Sequence, residues 1–367
     1  MLKKLIQINS VTGMEQGICK YIADLLTSYG VNPVNVKGNV VLVIKGSNSK
    51  KCLIFNAHVD TVSPGDVKLW QYDPFGGIEK DGKIFGLGAS DNKASIAVLM
   101  LLAKEFSVKK PECDVILTFT VGEEVDGHGT NDTVEWLATN HLKTYKKISA
   151  IVCEPTGLEL IGVAHKGNLF LKITTNGKSG HGSKPIKTND HSVLKMYKVI
   201  SNIEKLGKIW KKRYSNEVLG SSTIGLATSI IAGNAVTPNK FPDMCSATFD
   251  IRTIPEMHSL AFEVVKRSVG RLGGIEYLYP PVSFGFTESG EDIVKIVKNV
   301  SKAKIVAFPG STDMPFFTER GIPTVIFGPG ETDQMHKANE FCYSDKIGKC
   351  LEIFKQVVKG YNNTYVD

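Results

Sequence analysis

Several classes of protein are excluded by what this 367-residue sequence lacks. No stretch reaches the ~18–20 uninterrupted apolar residues that a membrane-spanning helix needs, so we expect no membrane association. The first residues include two lysines but no apolar segment and no small-residue cleavage site, so a secretory signal is not predicted. The sequence also contains no internal repeat and no low-complexity segment. We therefore expect a globular protein of the cytoplasm.

Cysteine pairs of the kind that form disulfides or zinc knuckles are also missing. The sequence has seven cysteines, an odd number, and no two of them are spaced C-x-x-C. This pattern argues against a disulfide framework and against a cysteine zinc site. Cys52 and Cys153 lie inside apolar runs, where a thiol behaves as a small hydrophobic side chain, and we expect both to be buried.

Positive charge is in modest excess. The net charge of +7 suggests two kinds of partner, a nucleic acid or a small anionic substrate. The densest basic segment, 195–213, has its apolar residues at helical spacing, which places its lysines on the opposite face of a helix. Such a face is most often simply solvated. Because no DNA- or RNA-binding motif accompanies it, we expect no nucleic-acid partner.

What is present is an α/β pattern with enough length for two domains. The composition, 42% hydrophobic and 22% charged, is that of an ordinary globular protein. Short apolar runs predict buried strands at 40–45, 52–57, 115–121 and 149–153. A helical pattern runs from Asp91 to Phe106, and Thr12 and Glu15 form a capping box that predicts an earlier helix. Helices between such strands favour a mostly parallel, doubly wound sheet.

The pattern changes near His165. From there the predicted elements follow the ferredoxin-like order strand–helix–strand–strand–helix–strand. The first five are a strand at 168–176, the basic helix, strands at 223–232 and 245–253, and a helix at 256–273. We therefore predict an inserted α+β domain at 165–280. Afterwards α/β character returns, with a helix near 291–303, a strand at 324–327 and a last helix from about 345. The first domain is then discontinuous and comprises 1–164 and 281–367.

Potential metal ligands follow three of the predicted strands at the point where each ends. His58 and Asp60 follow the second strand, Glu123 and Glu124 the third and Glu154 the fourth. Open α/β sheets bind ligands at the carboxyl ends of their strands, so these side chains are expected in one crevice. A glycine-rich loop leads to a further acid, Asp91, and the strand at 324–327 leads toward a further histidine, His336.

This donor set suits a pair of metal ions. His58, Asp91, Glu124, Glu154 and His336 offer nitrogen and oxygen without thiolate, which fits zinc and also cobalt or manganese. Five ligands are too few for two separate closed sites, but they are enough for two open sites that share one carboxylate. Paired ions ~3.5–4 Å apart polarise a carbonyl and activate water near neutral pH.

Two acids are left for other roles. Asp60 can hold the imidazole of His58 by its second nitrogen and so fix its tautomer. Glu123 is then the natural general base. Taken singly, these residues have simpler explanations: His58 as a hydrogen-bonded histidine, Asp91 as a helix N-cap and Glu154 as the end of a strand. Their coincidence at strand ends is what favours a metal site.

In these residues the sequence resembles the M20 metallopeptidase family, which includes acetylornithine deacetylase, succinyl-diaminopimelate desuccinylase, aminoacylase and carboxypeptidase G. The resemblance covers almost the whole chain. It rests on blocks in the family's order: HVDTV at 58–62, DPF at 73–75, DGKIFGLGASDNK at 81–93, GEE at 122–124, EP at 154–155, KGNLFLKITTNGKSGHGSKP at 166–185, DIRTIP at 250–255 and GPGETDQMHKANEF at 328–341. One block is a weak signal, whereas the ordered set is specific. The resemblance implies a dinuclear amidohydrolase that acts on linear amides.

The resemblance also implies a role for each residue of the first domain. The ligands divide into two sets that share Asp91 as the bridge: His58, Asp91 and Glu154, and Asp91, Glu124 and His336. Glu123 would act first as base and then as acid, and Asp60 would orient His58. The implied cofactor is two divalent ions, with zinc favoured and cobalt or manganese as alternatives.

Three residues of the inserted domain match the family's lid domain. His181, in SGHGS, matches a histidine that reaches across a dimer to the tetrahedral oxyanion. Asn234 and Arg252 match positions that often bind the substrate carboxylate, although alone they are typical of a turn and of a surface salt bridge. The resemblance therefore implies a homodimer formed through the lid.

Two segments depart from the family's pattern and bear on specificity. The usual D-x-K-G-G is Asp91-Asn92-Lys93-Ala94-Ser95 here, which keeps the ligand but changes the backbone freedom behind it. GSTDMPFF at 310–317 matches the substrate-side loop only loosely, which leaves the acyl group open.

Three other segments bear on the substrate. GLGASD, AHKGN at 164–168 and the GPGxxDQxH arrangement look more like acetylornithine deacetylase than the desuccinylase. We therefore favour a small N-acyl amino acid as the substrate. A desuccinylase, an N-acetyl-lysine deacetylase and a small di- or tripeptidase are the alternatives. A metal-free binding relative is disfavoured because no site residue is missing.

Overall fold

The computed structural model describes residues 1–365. The helices in this range are α1 (Leu2–Ile6), α2 (Gln16–Ser28), α3 (Lys93–Val108), α4 (His128–Asn140), α5 (Ser192–Arg213), α6 (Pro255–Val269), α7 (Asp292–Ser301), α8 (Met314–Thr318) and α9 (Ser344–Asn362). Short 3₁₀ turns lie at Val67–Leu69, Leu142–Thr144, Thr188–Asp190, Gly270–Leu272 and Thr332–Gln334.

The strands complete the element order. They are β1 (Val34–Val36), β2 (Asn39–Ile44), β3 (Asn48–His58), β4 (Ile78–Lys80), β5 (Lys83–Phe85), β6 (Cys113–Thr120), β7 (Lys147–Val152), β8 (Leu160–His165), β9 (Gly167–Asn176), β10 (Gly180–His181), β11 (Ser215–Asn216), β12 (Gly220–Ser221), β13 (Thr223–Ala232), β14 (Lys240–Phe241), β15 (Met244–Thr253), β16 (Gly274–Tyr277), β17 (Gly285–Phe286), β18 (Lys304–Ala307), β19 (Thr324–Ile326) and β20 (Phe341–Tyr343).

The chain divides into two compact units. The first unit comprises Met1–Ala164, Gly285–Phe308 and the chain from Thr312 onward. The second unit comprises His165–Phe284 together with Pro309–Ser311. The second unit is therefore an insertion in the sequence of the first, and a short later segment also belongs to it.

The first unit contains the large sheet, whose strand order in the described residues is β1-β2-β6-β3-β7-β19-β8-β17, with β18 beside β8. The four strands β6, β3, β7 and β19 are parallel neighbours at its centre. Antiparallel pairing adds β2 and β1 at one side and β8 at the other. The predicted α/β fold with a mostly parallel sheet is confirmed.

Helices cover both faces of this sheet because its central strands are apolar on both sides. In β3, Leu53 and Phe55 point into the core formed with α1, α2, α3, α7 and α9. Cys52 and Ile54 point into the opposite core, formed with α4 and α8. Each such large side chain contributes about 1.5–3 kcal/mol when fully buried. This two-sided packing fixes the strand register and therefore the positions of the residues at the strand ends.

The second unit contains an antiparallel four-stranded sheet in the order β13-β15-β9-β16. With α5 and α6 it has the predicted ferredoxin-like order of elements. Residues of β15 alternate between buried and partly exposed along the strand, as one face covered by helices requires. On α5 the buried apolar side chains are Met196, Val199, Ile203 and Trp210, and most of its lysines are exposed, as predicted for a solvated basic face.

The capping-box prediction for the first long helix was wrong. Helix α2 begins at Gln16, with Glu15 as its N-cap and no side-chain capping bond. The hydroxyl of Thr12 instead donates to Oδ2 of Asp60 over 2.9 Å. A carboxylate is a stronger acceptor than a neutral group, so the tertiary contact outweighs the local cap.

The structure bears on the expectations for the cysteines and for membrane-spanning helices. All seven cysteines are free and buried, as predicted for Cys52 and Cys153. In residues 1–365 no helix has the combined length and apolarity to cross a membrane.

Candidate metal centre

The carboxyl ends of the central parallel strands place the predicted ligands side by side. His58 ends β3 and lies opposite Thr120 of β6, while Asn56 lies opposite Val152 of β7. The Gly-Glu-Glu segment therefore begins just beyond the level of His58, and Glu154 follows β7 by two residues. This is the edge at which open parallel sheets bind ligands.

Two groups of potential ligands meet at this edge and share one acid. They are His58, Asp91 and Glu154, and Asp91, Glu124 and His336, and in each group the ligand atoms lie within 4.8 Å of one another. Oδ1 of Asp91 is 3.0 Å from Nε2 of His58, and Oδ2 is 3.6 Å from Nε2 of His336. Oε1 of Glu154 is 3.7 Å from His58, and Oε2 of Glu124 is 3.0 Å from His336. The two oxygens of one carboxylate thus face two different groups.

Asp91 ends the glycine-rich loop that precedes α3. Gly88 in this loop has a φ of +77°, and a Cβ there would come within 2.7 Å of Cγ2 of Thr61, so glycine is required. Ser95, where the family pattern has glycine, lies in the first turn of α3 and donates to the carbonyl of Cys153 over 2.6 Å. The departure from D-x-K-G-G therefore adds a hydrogen bond between α3 and the end of β7.

Asp60 is buried and joins several parts of the centre. Its carboxylate accepts hydrogen bonds from the backbone N–H groups of Glu123 (3.1 Å) and Glu124 (3.2 Å) and from the Thr12 hydroxyl (2.9 Å). Nδ1 of His58 lies 3.0 Å from the backbone oxygen of Asp60 and 3.5 Å from its Oδ1. Although burial opposes it, hydrogen bonds with His58 and Thr12 hold the pKa of Asp60 below its ordinary value.

Burial dominates the electrostatics of the other acids. It raises the pKa of the Glu123 and Glu154 carboxyls well above the ordinary value and also raises the pKa of Glu124. Although burial opposes it, the charge of Glu154 raises the pKa of His58. The hydrogen bond to Glu124 raises the pKa of His336 to about 9. Each of these groups therefore holds its proton to a higher pH than the same group does in water.

The residues fit a pair of divalent cations. Oε1 of Glu124 is buried and finds no hydrogen-bond donor within the described part of the chain. A buried carboxylate oxygen without a donor requires another partner, and a metal ion supplies one. The four acids Asp91, Glu123, Glu124 and Glu154 together provide the negative charge that two such ions need. Imidazole and carboxylate donors suit zinc, cobalt and manganese.

Sequence reasoning missed Asp313, a buried acid behind the centre. It accepts hydrogen bonds from the amide of Asn56 (3.0 Å) and the hydroxyl of Thr130 (2.5 Å). Burial raises its pKa to about 6. It lies in GSTDMPFF, the segment whose match to the family is loose, so the sequence carried only a weak signal.

Glu340 was also missed, although it lies in the quoted block GPGETDQMHKANEF. Its buried carboxylate accepts backbone hydrogen bonds from Gly88, Ser90 and Asp91. Burial raises its pKa to about 8. The short spacing from His336 was the available signal, but spacing does not reveal a contact with a loop some 250 positions earlier.

The predicted lid residues lie in the second unit. His181 is exposed in β10, and its Nδ1 is 2.9 Å from the hydroxyl of Ser183. Asn234 is an exposed turn residue whose side-chain oxygen accepts the N–H of Val236 over 2.9 Å. Their roles in a reaction stay predictions.

Arg252 lies in β15, and its guanidinium contacts the polar side chains of Asp250 and Ser311 in its own unit. Its Nε and Nη2 contact the two carboxylate oxygens of Asp250 at 2.8 and 3.0 Å. Its Nη1 donates to the hydroxyl of Ser311 over 2.8 Å. These contacts hold the guanidinium in one orientation.

Known proteins resemble this chain over nearly its full length. It is 27% identical to a protein from Staphylococcus epidermidis named probable succinyl-diaminopimelate desuccinylase, with 98% of this chain and 96% of that protein covered. It is 29% identical to an acetylornithine deacetylase from Buchnera aphidicola, with 92% and 91% covered. An M20 family metallo-carboxypeptidase from Sulfolobus solfataricus shares the fold, with a TM-score of 0.79, 20% identity and coverage of 99% and 98%.

The family profile agrees with these relatives. The profile of peptidase family M20/M25/M40 matches residues 54–360, a span that includes every residue of the two ligand groups. Solved structures in this family include a dinuclear metal-binding peptidase. This chain belongs to peptidase family M20/M25/M40, the family of dinuclear metallopeptidases and amidohydrolases.

Proposed function

We propose that this protein is a dinuclear metallo-amidohydrolase that cleaves the amide bond of a small N-acyl amino acid, with a substrate like that of acetylornithine deacetylase favoured. The observation that carries the proposal is the position of Asp91, whose two oxygens face two separate ligand groups. A carboxylate in that position is suited to bridge two ions while each keeps room for water or substrate.

Each ion has its own ligands in this proposal. His58 and Glu154 would hold one ion together with Asp91, and Glu124 and His336 would hold the other together with Asp91. When bound, the ions supply Lewis-acid polarisation of the amide carbonyl and lower the pKa of a water molecule. Zinc is the favoured metal, with cobalt or manganese as alternatives.

Glu123 is the proposed general base and acid. It takes a proton from the attacking water as the C–O bond forms, and it passes that proton to the amine nitrogen as the C–N bond breaks. The products are a carboxylate and a free amine. Two features support this role: the carboxylate of Asp60 accepts the backbone N–H of Glu123, and burial raises the pKa of the Glu123 carboxyl, which favours its holding a proton during the transfer.

The second unit is proposed to supply substrate contacts. His181 is assigned to the developing oxyanion, and with Nδ1 near Ser183 its Nε2 is the nitrogen that can meet a ligand. Arg252 and Asn234 are assigned to the substrate carboxylate. A guanidinium has five N–H donors, and the hydrogen bonds to Asp250 and Ser311 use two of them, which leaves enough for a bidentate carboxylate.

A homodimer formed through the second unit is part of the proposal. Strand β13 is an edge strand of the four-stranded sheet, and Ile230 and Ile231 on it are 54% and 68% exposed. Tyr197 on α5 is 70% exposed. An exposed apolar edge strand favours pairing with another strand. Light scattering coupled to gel filtration measures the mass in solution, and a monomer at micromolar concentration would contradict this part.

The names of the relatives point to two acyl groups, and the sequence blocks favour one of them. The GLGASD, AHKGN and GPGxxDQxH segments favour an acetylornithine-type substrate. The 27% identity to a probable desuccinylase over 98% of this chain supports a succinylated diamino acid as the second candidate. N-acetyl-lysine and small di- or tripeptides are the further alternatives.

A turnover panel tests the proposal. The protein is reconstituted with zinc or cobalt and given N-acetylornithine, N-acetyllysine, N-succinyl-diaminopimelate and several dipeptides, each with and without a chelator. Release of free amine is the readout. An Asp91→Ala variant purified in parallel controls for contaminating hydrolases.

We expect chelator-sensitive hydrolysis of one acylated amino acid by the unaltered protein and none by Asp91→Ala. Preference for N-succinyl-diaminopimelate or for a dipeptide would replace the favoured substrate but keep the reaction. Equal rates with and without the chelator would contradict the proposed chemistry.

A further inference from the structure

One buried carboxylate holds the loop that carries Asp91. Glu340 is 2% exposed, and its Oε2 accepts the backbone N–H of Gly88 over 2.7 Å. Its Oε1 accepts the N–H groups of Ser90 (2.7 Å) and Asp91 (2.9 Å). Three hydrogen bonds to the two oxygens of one buried carboxyl group restrain this glycine-rich loop, because a buried N–H group that loses its acceptor costs free energy.

Further bonds join the same two segments. The backbone oxygen of Glu340 accepts the N–H of Gly86 over 2.9 Å. The Ser90 hydroxyl donates to the carbonyl of Phe341 over 2.7 Å and accepts the N–H of Glu331 over 2.9 Å. Strand β20 pairs with β5, immediately before the loop. The Glu340 carboxyl group lies at the centre of this junction and accepts three of its hydrogen bonds.

Glu340 also stands close to the ligand of the second group. His336 precedes it by four residues, lies between a 3₁₀ turn and β20, and has a φ of +59° with about half of its side chain exposed. The position of a ligand on such a segment depends on the anchor that follows it, which here is the hydrogen-bonded carboxyl group of Glu340. The same anchor therefore sets the positions of Asp91 and His336 relative to each other.

We infer that Glu340 is a positioning residue of the metal centre, an inference that rests on the proposed function. It acts through the backbone of Asp91 and fixes the peptide so that Oδ1 faces His58 and Oδ2 faces His336. Loss of its carboxylate would loosen the bridge and change metal binding before it changed the fold.

The experiment compares two variants with a matched control. Glu340→Ala removes both acceptor oxygens and with them all three hydrogen bonds. Glu340→Gln keeps one oxygen but places an amide NH2 group, a donor, against a backbone N–H. Asp114→Asn is the control, because Asp114 is also fully buried and accepts a backbone N–H, from Gly46, at the opposite end of β6. Cobalt binding is followed by dialysis and by the visible absorption spectrum of the bound ion, and thermal unfolding reports folding.

Removing groups that orient metal ligands typically weakens metal binding or activity by ~10–100-fold. We expect cobalt affinity about 100-fold weaker in Glu340→Ala and about 10-fold weaker in Glu340→Gln, with altered spectra in both. Asp114→Asn should lower the unfolding temperature while its cobalt affinity and spectrum match the unaltered protein. If Glu340→Ala fails to fold, Glu340→Gln carries the test.

Two results separate this inference from the proposed function. Unaltered cobalt affinity and spectrum in a folded Glu340→Gln would overturn the positioning role, and the two-ion proposal would still stand. Failure of the unaltered protein to bind two ions would overturn the proposed function itself. Equal weakening in Glu340→Gln and Asp114→Asn would also overturn the inference, because it would indicate a general effect of lost stability.

Discussion

Oδ1 of Asp60 accepts a hydrogen bond of 3.1 Å from the backbone N–H of Glu123. The other oxygen accepts the next N–H, that of Glu124, and the hydroxyl of Thr12. The proposed general base and a proposed metal ligand are thus held by the residue that also lies beside the His58 ring. Asp60 therefore contacts the proposed general base and one member of each candidate ligand group, His58 and Glu124.

Asp60→Asn should therefore damage the centre although it is nearly isosteric. The amide NH2 group of the asparagine would face the backbone N–H groups or the Thr12 hydroxyl, which donate to the Asp60 carboxylate in the unaltered protein. We expect kcat/KM to fall by ~10–100-fold, the usual range for groups that orient metal ligands. Thr12→Val removes one of the three donors and should cost less than Asp60→Asn. Steady-state rates equal to those of the unaltered protein in Asp60→Asn would contradict this role.

Glu123→Ala should retain both metal ions yet lose turnover. Positioned proton transfer typically contributes ~10²–10⁴-fold, and its loss should appear in kcat. Glu123→Gln keeps the shape of the side chain and serves as the matched variant. Metal content is measured on the same samples as the rates. A variant with both ions bound and a near-normal rate would remove Glu123 from the mechanism.

His181→Ala should lower kcat far more than it lowers metal content. The side chain belongs to the second unit and is not a member of either ligand group, so the ions should bind as before. Loss of a group that stabilises the oxyanion typically costs ~10²–10³-fold in kcat. Turnover that is unchanged in this variant would mean that His181 has a structural role.

Metal binding should stabilise the protein more at pH 8 than at pH 5. The pKa values of Glu123, Glu124 and Glu154 are raised in the metal-free fold, so the folded chain binds more protons than the unfolded chain. Stability from these groups is complete below their unfolded pKa and is lost as pH rises through the folded pKa. His336, with a pKa raised to about 9, contributes in the same direction.

Metal ions displace these protons, because the ligands must be deprotonated to bind. The stabilisation that the metal provides should therefore increase with pH. Thermal unfolding with zinc and with chelator at the two pH values measures the difference. A zinc-induced rise in unfolding temperature that is the same at both pH values would contradict the account.

The grouping of the potential ligands at the strand ends was predictable because parallel strands share one carboxyl edge. Apolar runs located β3, β6 and β7, and the residues that follow them meet wherever such strands are neighbours. The second unit was predictable for a similar reason, since strand alternation and helical spacing are local signals. The five-residue helices α1 and α8 are too short to carry such a signal.

The supporting residues could not be found from the sequence. Thr12 looks like part of a capping box, and only the folded chain brings it to Asp60. Glu340 binds backbone N–H groups, which every residue offers, so no residue type in the loop marks its partner. Asp313 reaches Asn56 and Thr130 through contacts between distant segments. Each contact is set by tertiary packing.

Counting the zinc ions bound per chain tests the central claim, that Asp91 bridges two ions, most directly. Equilibrium dialysis followed by elemental analysis is applied to the unaltered protein, to His336→Ala and to Asp91→Ala. We predict two tightly bound ions in the unaltered protein, one in His336→Ala and strong weakening of both in Asp91→Ala. One ion in the unaltered protein, or two ions of unchanged affinity in Asp91→Ala, would contradict the account.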